Sequence, residues 1–460
     1  MPRRSNRRYR KERGLRESLN IHGTNATVDQ RAPSGGTAGL PVAFLVILGL
    51  SAILGIAFVA VVTPGIPYDE PSHWLNVLYY ANHHWIPTIG DPSVSYEAQQ
   101  PPLAYAIAGI VAGPVRHLAT LRAAFYAIRI VGGVEWLVAL VFAWRILGRL
   151  LPDGSIARSV AFAFLALNPM LIAMSWSVQN DSLALLLGFG AIDYASAAGR
   201  RSFGTLQGAV LGAIVAAGIL TKLTDWPLVI AFPIWLLMPA ARRPWKAVAA
   251  FLAPLAVLSG WWFVRNMALY GDPLGRGKAA AESGGFAPYP LHGIGSLAHA
   301  AQNVVTYLWM PTEYWRSIIH APAVLKGLIL AITVVVLAIG AIVHVRDRRQ
   351  AHDADAVGGA GSGDTWADTW SLVVITGAIA LVAWVFLFFG WSALAPRLAY
   401  LALPLWAALV GLTAQAVGAA LPRIRPALPS AALVIMVALC VWSLHAVHSA
   451  EAALHLITDL

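Results

Sequence analysis

Eleven separate stretches of this 460-residue chain are apolar over close to the length that an α-helix needs to cross a bilayer. A hydrocarbon core of roughly 30 Å takes about 20 residues of helix. The stretches run at about 39–63, 126–148, 157–177, 182–199, 204–221, 226–241, 246–268, 321–344, 369–390, 397–418 and 429–448. Composition agrees: residues of the AVILMFWYC set make up 58% and charged residues only 12%, so a soluble globule is excluded. The single cysteine, Cys440, lies in an apolar run and excludes an intrachain disulfide. The fold class read from this pattern is an all-α polytopic membrane protein with about eleven transmembrane helices. The first stretch is too long for a signal-peptide core and reads as an uncleaved first helix.

Orientation follows from the basic residues. If the tail 1–38 is cytoplasmic, alternate loops place 22 of the 32 Lys and Arg residues inside. That sets the N-terminus in and the C-terminus out. It also puts the long loops near 64–125 and 269–320 on the outer face of an inner (plasma) membrane. The apolar segment 102–118 contains Gly113-Pro114, Arg116 and His117 and reads as an interfacial helix lying on the membrane. Four regions follow: a basic, disordered tail 1–38, a catalytic membrane module 39–345, a Gly-rich flexible cytoplasmic linker 346–368, and C-terminal transmembrane helices 369–460. A net charge of +10 would suggest nucleic acid in a soluble protein; here its placement points to membrane lipids, and no nucleic-acid partner is expected.

Chemistry-bearing residues gather at one depth, the outer boundary. Asp69 and Glu70 follow the first stretch, and a helix starting there would bring His73 one turn beyond both. Farther along that loop come Glu97 and Gln100, before Pro101-Pro102. Asn180 and Asp181 open the fourth stretch, with Asn180 suited to an N-cap. Lys222 sits in an outer turn, Arg265 at the exit of the seventh stretch, and Arg397 with Tyr400 at the start of the tenth. Each charge alone reads as a snorkelling side chain at a helix end. Their coincidence at one depth on different helices points to a site for a lipid-tailed ligand with an anionic head.

The ordered motifs D-E-x-x-H, Q-P-P-L-x-Y, N-P…N-D, T-K-x-T, R-N…Y-G-D-P-L and R-L-x-Y resemble those of the GT-C integral membrane glycosyltransferases. The nearest likeness is to the protein O-mannosyltransferase and aminoarabinose-transferase-like branch, over about residues 40–405. The resemblance implies a GT-C-like fold, a polyprenyl-phosphate sugar donor, transfer at the extracytoplasmic face with inversion, and a cell-envelope glycan, lipid or protein acceptor. It assigns Asp69, Glu70 and His73 to catalysis, Arg397 to the donor phosphate with Lys222 and Arg265 assisting, and Glu97, Gln100, Asn180, Asp181 and Tyr400 to substrate. Gln100 stands where mannosyltransferases carry histidine, so the sugar is not carried over. The best-known members also carry a large C-terminal extracytoplasmic domain, which these 460 residues do not resemble, and this leaves a protein acceptor open. No cofactor is required by this reading. Asp69, Glu70, His73, His83 and His84 share a loop and admit a divalent metal, but no residue is assigned as its ligand. A transporter is the rival from another class: it would place ionisable groups near the midplane, where Glu135 and Asp193 are the candidates.

Overall fold

A computed structural model describes residues 41–67, 69–83, 85–238, 244–283, 293–309, 322–358, 363–391 and 396–454. The basic tail 1–38, Tyr68 and His84 lie outside these residues. The helices belong to one unit spanning residues 42–460. Among the described residues the secondary structure is helical throughout, with no strand, as expected where lipid offers the backbone no hydrogen-bond partner.

The first half contains α1 (Val42–Val61), α2 (Glu70–Asn82), a 3-10 turn (Tyr96–Gln99), α3 (Leu103–Leu118), α4 (Leu121–Leu150), α5 (Ile156–Ala166), α6 (Pro169–Ser175), α7 (Asp181–Ser202) and α8 (Thr205–Thr221). A second 3-10 turn (Leu223–Asp225) leads to α9 (Pro227–Leu237), α10 (Pro244–Tyr270), α11 (Arg276–Glu282) and α12 (Ile294–Trp309). Helices Ala323–Gly358 and Gly363–Trp391, a third 3-10 turn (Pro396–Ala402), and helices Leu403–Ala420 and Leu428–Leu454 follow.

Every one of the eleven apolar stretches falls on a helix or a helix pair. Eight described helices are long and apolar enough to cross a membrane singly. The pair α5 and α6, bent by 48°, is apolar enough to be either one broken span or a re-entrant loop. The break has a local cause: Asn168 caps α6 by accepting from Met170 N and Leu171 N, and Pro169 follows it. α8 and α9, at 17 and 11 residues, fall short of a full span. α3, the expected interfacial helix, is also short at 16 residues and packs on α2 and α4.

Close packing replaces hydrophobic drive inside a membrane. Gly208 and Gly212 on α8 let its backbone approach α10 so closely that a Cβ at either would overlap the Ala247 or Phe251 carbonyl. Polar bonds add to this: Trp136 Nε1 donates to Ser51 Oγ at 3.2 Å, and Ser51 Oγ donates to Ala166 O at 2.7 Å.

At the opposite end of the bundle from the loop 62–103, ion pairs hold the helices. Asp193 pairs with Arg149 at 2.6 Å and Arg145 at 3.2 Å, and Arg200 with Asp368 at 2.6 Å. The indoles of Trp366 and Trp370 both donate to Leu150 O at the C-terminal end of α4. Asp193 therefore has two arginine partners and drops out as an isolated midplane carboxylate. The linker expectation for 346–368 is also shortened. Helix runs through Gly358 and resumes at Gly363, because R-D-R-R-Q-A-H-D-A-D-A is rich in helix-forming, mixed-charge residues; only 359–362 lie outside the described residues.

Candidate active site

The site is built where the chain leaves α1. Gly65, at φ 85°, turns the backbone, and Asp69 then enters α2 as its N-cap at φ 61°, ψ 0°. Asp69 is the sole non-glycine residue with positive φ among the described residues. Aspartate tolerates this left-handed region better than most residues, yet such a conformation still costs about 1–3 kcal/mol and persists only where the surroundings impose it. Its side chain makes no capping bond to α2 and is left to the site.

His73 lies one turn on, its N–H donating to Asp69 O at 3.0 Å, as the D-E-x-x-H spacing predicts. The buried imidazole meets the Tyr105 hydroxyl through Nδ1 at 2.6 Å. Ser95 Oγ donates to Ser72 O and so ties the turn Tyr96–Gln99 to α2. From that turn Tyr96 Oη donates to Asp69 Oδ1 at 2.7 Å, and Glu97 is buried. Asp69, His73 and Glu97 each present one ligand atom within 4.8 Å of the others. Burial, with Glu97 and Asp181 nearby, pushes the Tyr105 phenol well above its ordinary value, so it stays protonated beside the histidine.

Glu70 turns the other way. Its carboxylate is fully buried and accepts from Gly65 N, Val178 N, and Arg129 Nε and Nη2, at 2.7–2.9 Å. With these four bonds Glu70 anchors the structure and does not join Asp69, contrary to the catalytic place that the sequence suggested. His83 is exposed and stacks on Tyr79, outside the Asp69 group. Gln100 ends the 3-10 turn, its N–H donating to Glu97 O at 2.8 Å.

A second polar group lies where α7, α8 and the turn Leu223–Asp225 meet. Lys222 Nζ donates to Asp181 Oδ1 at 2.7 Å, and both are buried. Asn180 is the N-cap of α7, but its side chain does not cap: Nδ2 donates to Thr221 O at 3.3 Å. Buried Asp225 lies within electrostatic reach of both Lys222 and Asp181. The turn Pro396–Ala402, which carries Arg397 and the buried Tyr400, packs on Leu223–Asp225 and on α7; the Arg397 side chain lies outside the described residues. Arg265 serves elsewhere. It donates to Pro87 O at 2.7 Å and Ile86 O at 3.3 Å, and lies over the Trp262 ring. There it braces the loop between α2 and the turn Tyr96–Gln99.

The structure thus gathers Asp69, His73 and Glu97, and separately Asn180, Asp181 and Lys222. Sequence reasoning missed Tyr96, Tyr105 and Arg129. Tyr105 closes the Q-P-P-L-x-Y motif, and Arg129 was visible as a charge near the start of the apolar stretch 126–148, a signal worth following.

No protein-family model matches the sequence, and no curated protein is similar to it in sequence. Solved structures do share its fold. The Archaeoglobus fulgidus oligosaccharyltransferase in its apo form superposes with a TM-score of 0.51 at 12% identity, over 89% of this chain and 56% of that one. The same enzyme with zinc and sulfate gives 0.48 at 12% identity, over 88% and 53%. Its complex with an inhibitory peptide and a dolichol-phosphate gives 0.46 at 11%, over 89% and 56%. The chain spans about half the length of these proteins. The apo superposition shows that this chain shares the fold of that membrane enzyme's matching part.

Proposed function

We propose that this chain is a glycosyltransferase of the GT-C type. It moves a sugar from a polyprenyl-phosphate donor to a hydroxyl-bearing acceptor at the extracytoplasmic face of the plasma membrane, with inversion. The observation that carries the reading is the Asp69 group: a carboxylate in a strained backbone, oriented by Tyr96, beside buried His73 and Glu97. Attack on an anomeric carbon needs a group to receive the acceptor's proton, and the Asp69 carboxylate is that base. The phosphate is already a good leaving group, so the site needs fixed positive charge more than a general acid.

Lys222 is engaged by Asp181 and Arg265 by backbone carbonyls. Arg397 is the residue we assign to the donor phosphate, since a guanidinium offers a rigid fork to its oxygens. The donor set of Asp69, His73 and Glu97 fits a divalent cation such as Mn²⁺ or Zn²⁺ in chemistry and in spacing. Asp69, His73 and Glu97 would hold such an ion, and it would supply Lewis-acid charge to the site. At Asp193 the arrangement favours this reading over a transporter, because that carboxylate is paired with Arg145 and Arg149.

The test uses the purified chain in nanodiscs with a panel of polyprenyl-phosphate sugars, following release of polyprenyl phosphate by mass spectrometry. Release with at least one donor, abolished by chelation and restored by Mn²⁺ or Zn²⁺, supports both parts. Release that chelation leaves untouched removes the metal, and no release with any donor removes the transferase.

A further inference from the structure

Among the described residues Arg129 is the largest fully buried charged side chain, at 0% exposure, and nothing in the reaction just described uses it. Its guanidinium forks onto both oxygens of Glu70, with Nε at 2.9 Å and Nη2 at 2.7 Å. It also donates from Nη1 to Val62 O at 2.7 Å and from Nη2 to Thr63 O at 3.4 Å, and it lies among the rings of Phe58, Phe125 and Tyr126. One side chain on α4 therefore fixes the end of α1. Through Glu70 it also fixes the Gly65 turn, the first turn of α2 and the Val178 amide ahead of α7. Asp69 is the residue directly before Glu70, and it sits between these fixed points in a backbone state that it would not hold unaided.

We propose that Arg129 is a positioning residue: by clamping Glu70 against the Gly65 turn, it imposes the left-handed backbone at Asp69 and so aims the Asp69 carboxylate at Tyr96, His73 and Glu97. The inference rests on the transferase reading of that site. The clamp touches no atom of the Asp69 carboxylate. It acts through attachments that bracket Asp69: the Val62 and Thr63 carbonyls and the Gly65 amide before it, and the Glu70 side chain after it. A bidentate guanidinium is suited to this because it fixes direction as well as distance; lysine would keep the charge and lose the fork.

The experiment compares Arg129→Lys with wild type in nanodiscs, with turnover expressed per folded molecule. A second variant, Gly65→Ala, loosens the clamp from its other end: the added Cβ has room, with Pro71 Cγ at 3.4 Å, but disfavours φ +85°. Displacing a reacting group by about 1 Å costs on the order of 100-fold. Both variants are expected to lose roughly 10- to 100-fold in kcat, with the donor KM within about twofold of wild type. An unchanged kcat per folded molecule would show that Arg129 only holds the fold and overturns the proposal. A donor KM rising in step with the loss would make Arg129 a donor ligand and overturns it too. If wild type transfers no sugar, the functional reading fails, and the clamp is then judged by cryo-EM of Arg129→Lys. Asp69 relaxed to negative φ, its carboxylate turned away from the Tyr96 hydroxyl, supports the clamp; Asp69 still near φ 60° overturns it.

Discussion

Replacing Lys222 by methionine separates a structural lysine from a phosphate-binding one. Lys222 and Asp181 are 2.7 Å apart and both are almost wholly buried, with side-chain exposures of 6% and 1%. Methionine keeps most of the stem and removes the ammonium. Asp181 then remains in the interior without its cation, and Asp225 stands within electrostatic reach. Breaking a buried pair from one side costs about 3–5 kcal/mol, because the remaining charge has lost its counter-ion where water does not replace it. Neutralising both ends is often close to neutral, so Asp181→Asn combined with Lys222→Met should recover most of that loss. The expected coupling in the double-mutant cycle is about 2–4 kcal/mol in favour of the pair. Denaturation in detergent, followed through the fluorescence of the 18 tryptophans, reads it directly. Lys222→Met as stable as wild type, with a raised donor KM, would refute the argument and return Lys222 to the donor phosphate.

Tyr96→Phe removes the bond that orients Asp69; hydrogen bonds to charged groups are worth about 1.5–3 kcal/mol, so turnover should fall roughly 10- to 150-fold at unchanged expression. Arg397→Ala should weaken donor use by a similar factor in a donor titration, and Arg397→Lys should restore only part of it, because the fork is lost. The topology is checked with Ser93→Cys: position 93 is exposed and the native Cys440 is buried, so an impermeant thiol reagent should label intact cells at position 93. Labelling only after lysis would invert the orientation.

Much of the fold was legible because the signals are long. Twenty apolar residues leave the backbone few choices in lipid, and all eleven stretches are helical. The short α8 and α9 show where that reading weakens, since apolar character alone does not say how deep a helix runs. The site was legible to the extent that it is local. His73 follows Asp69 by one helical turn, and the spacing shows it. Glu70 could not be separated from Asp69 by sequence, because they are neighbours of one chemical type. What parts them is a partner 59 residues away on α4 and the turn that Gly65 makes. Lys222 and Arg265 were assigned by depth as cations for the donor phosphate, and the sequence could not show what they pair with. Their partners, Asp181 and the carbonyls of Ile86 and Pro87, are 41 and about 180 residues away in sequence and are set by tertiary packing.

The central claim is that the Asp69 carboxylate takes the acceptor's proton, and sugar transfer by purified Asp69→Asn in nanodiscs tests it most directly. The amide keeps the shape and can still accept from Tyr96, but it cannot receive a proton. Turnover should fall by about 10²–10⁴-fold while expression and donor binding hold. Asp69→Asn turning over near the wild-type rate would contradict the account.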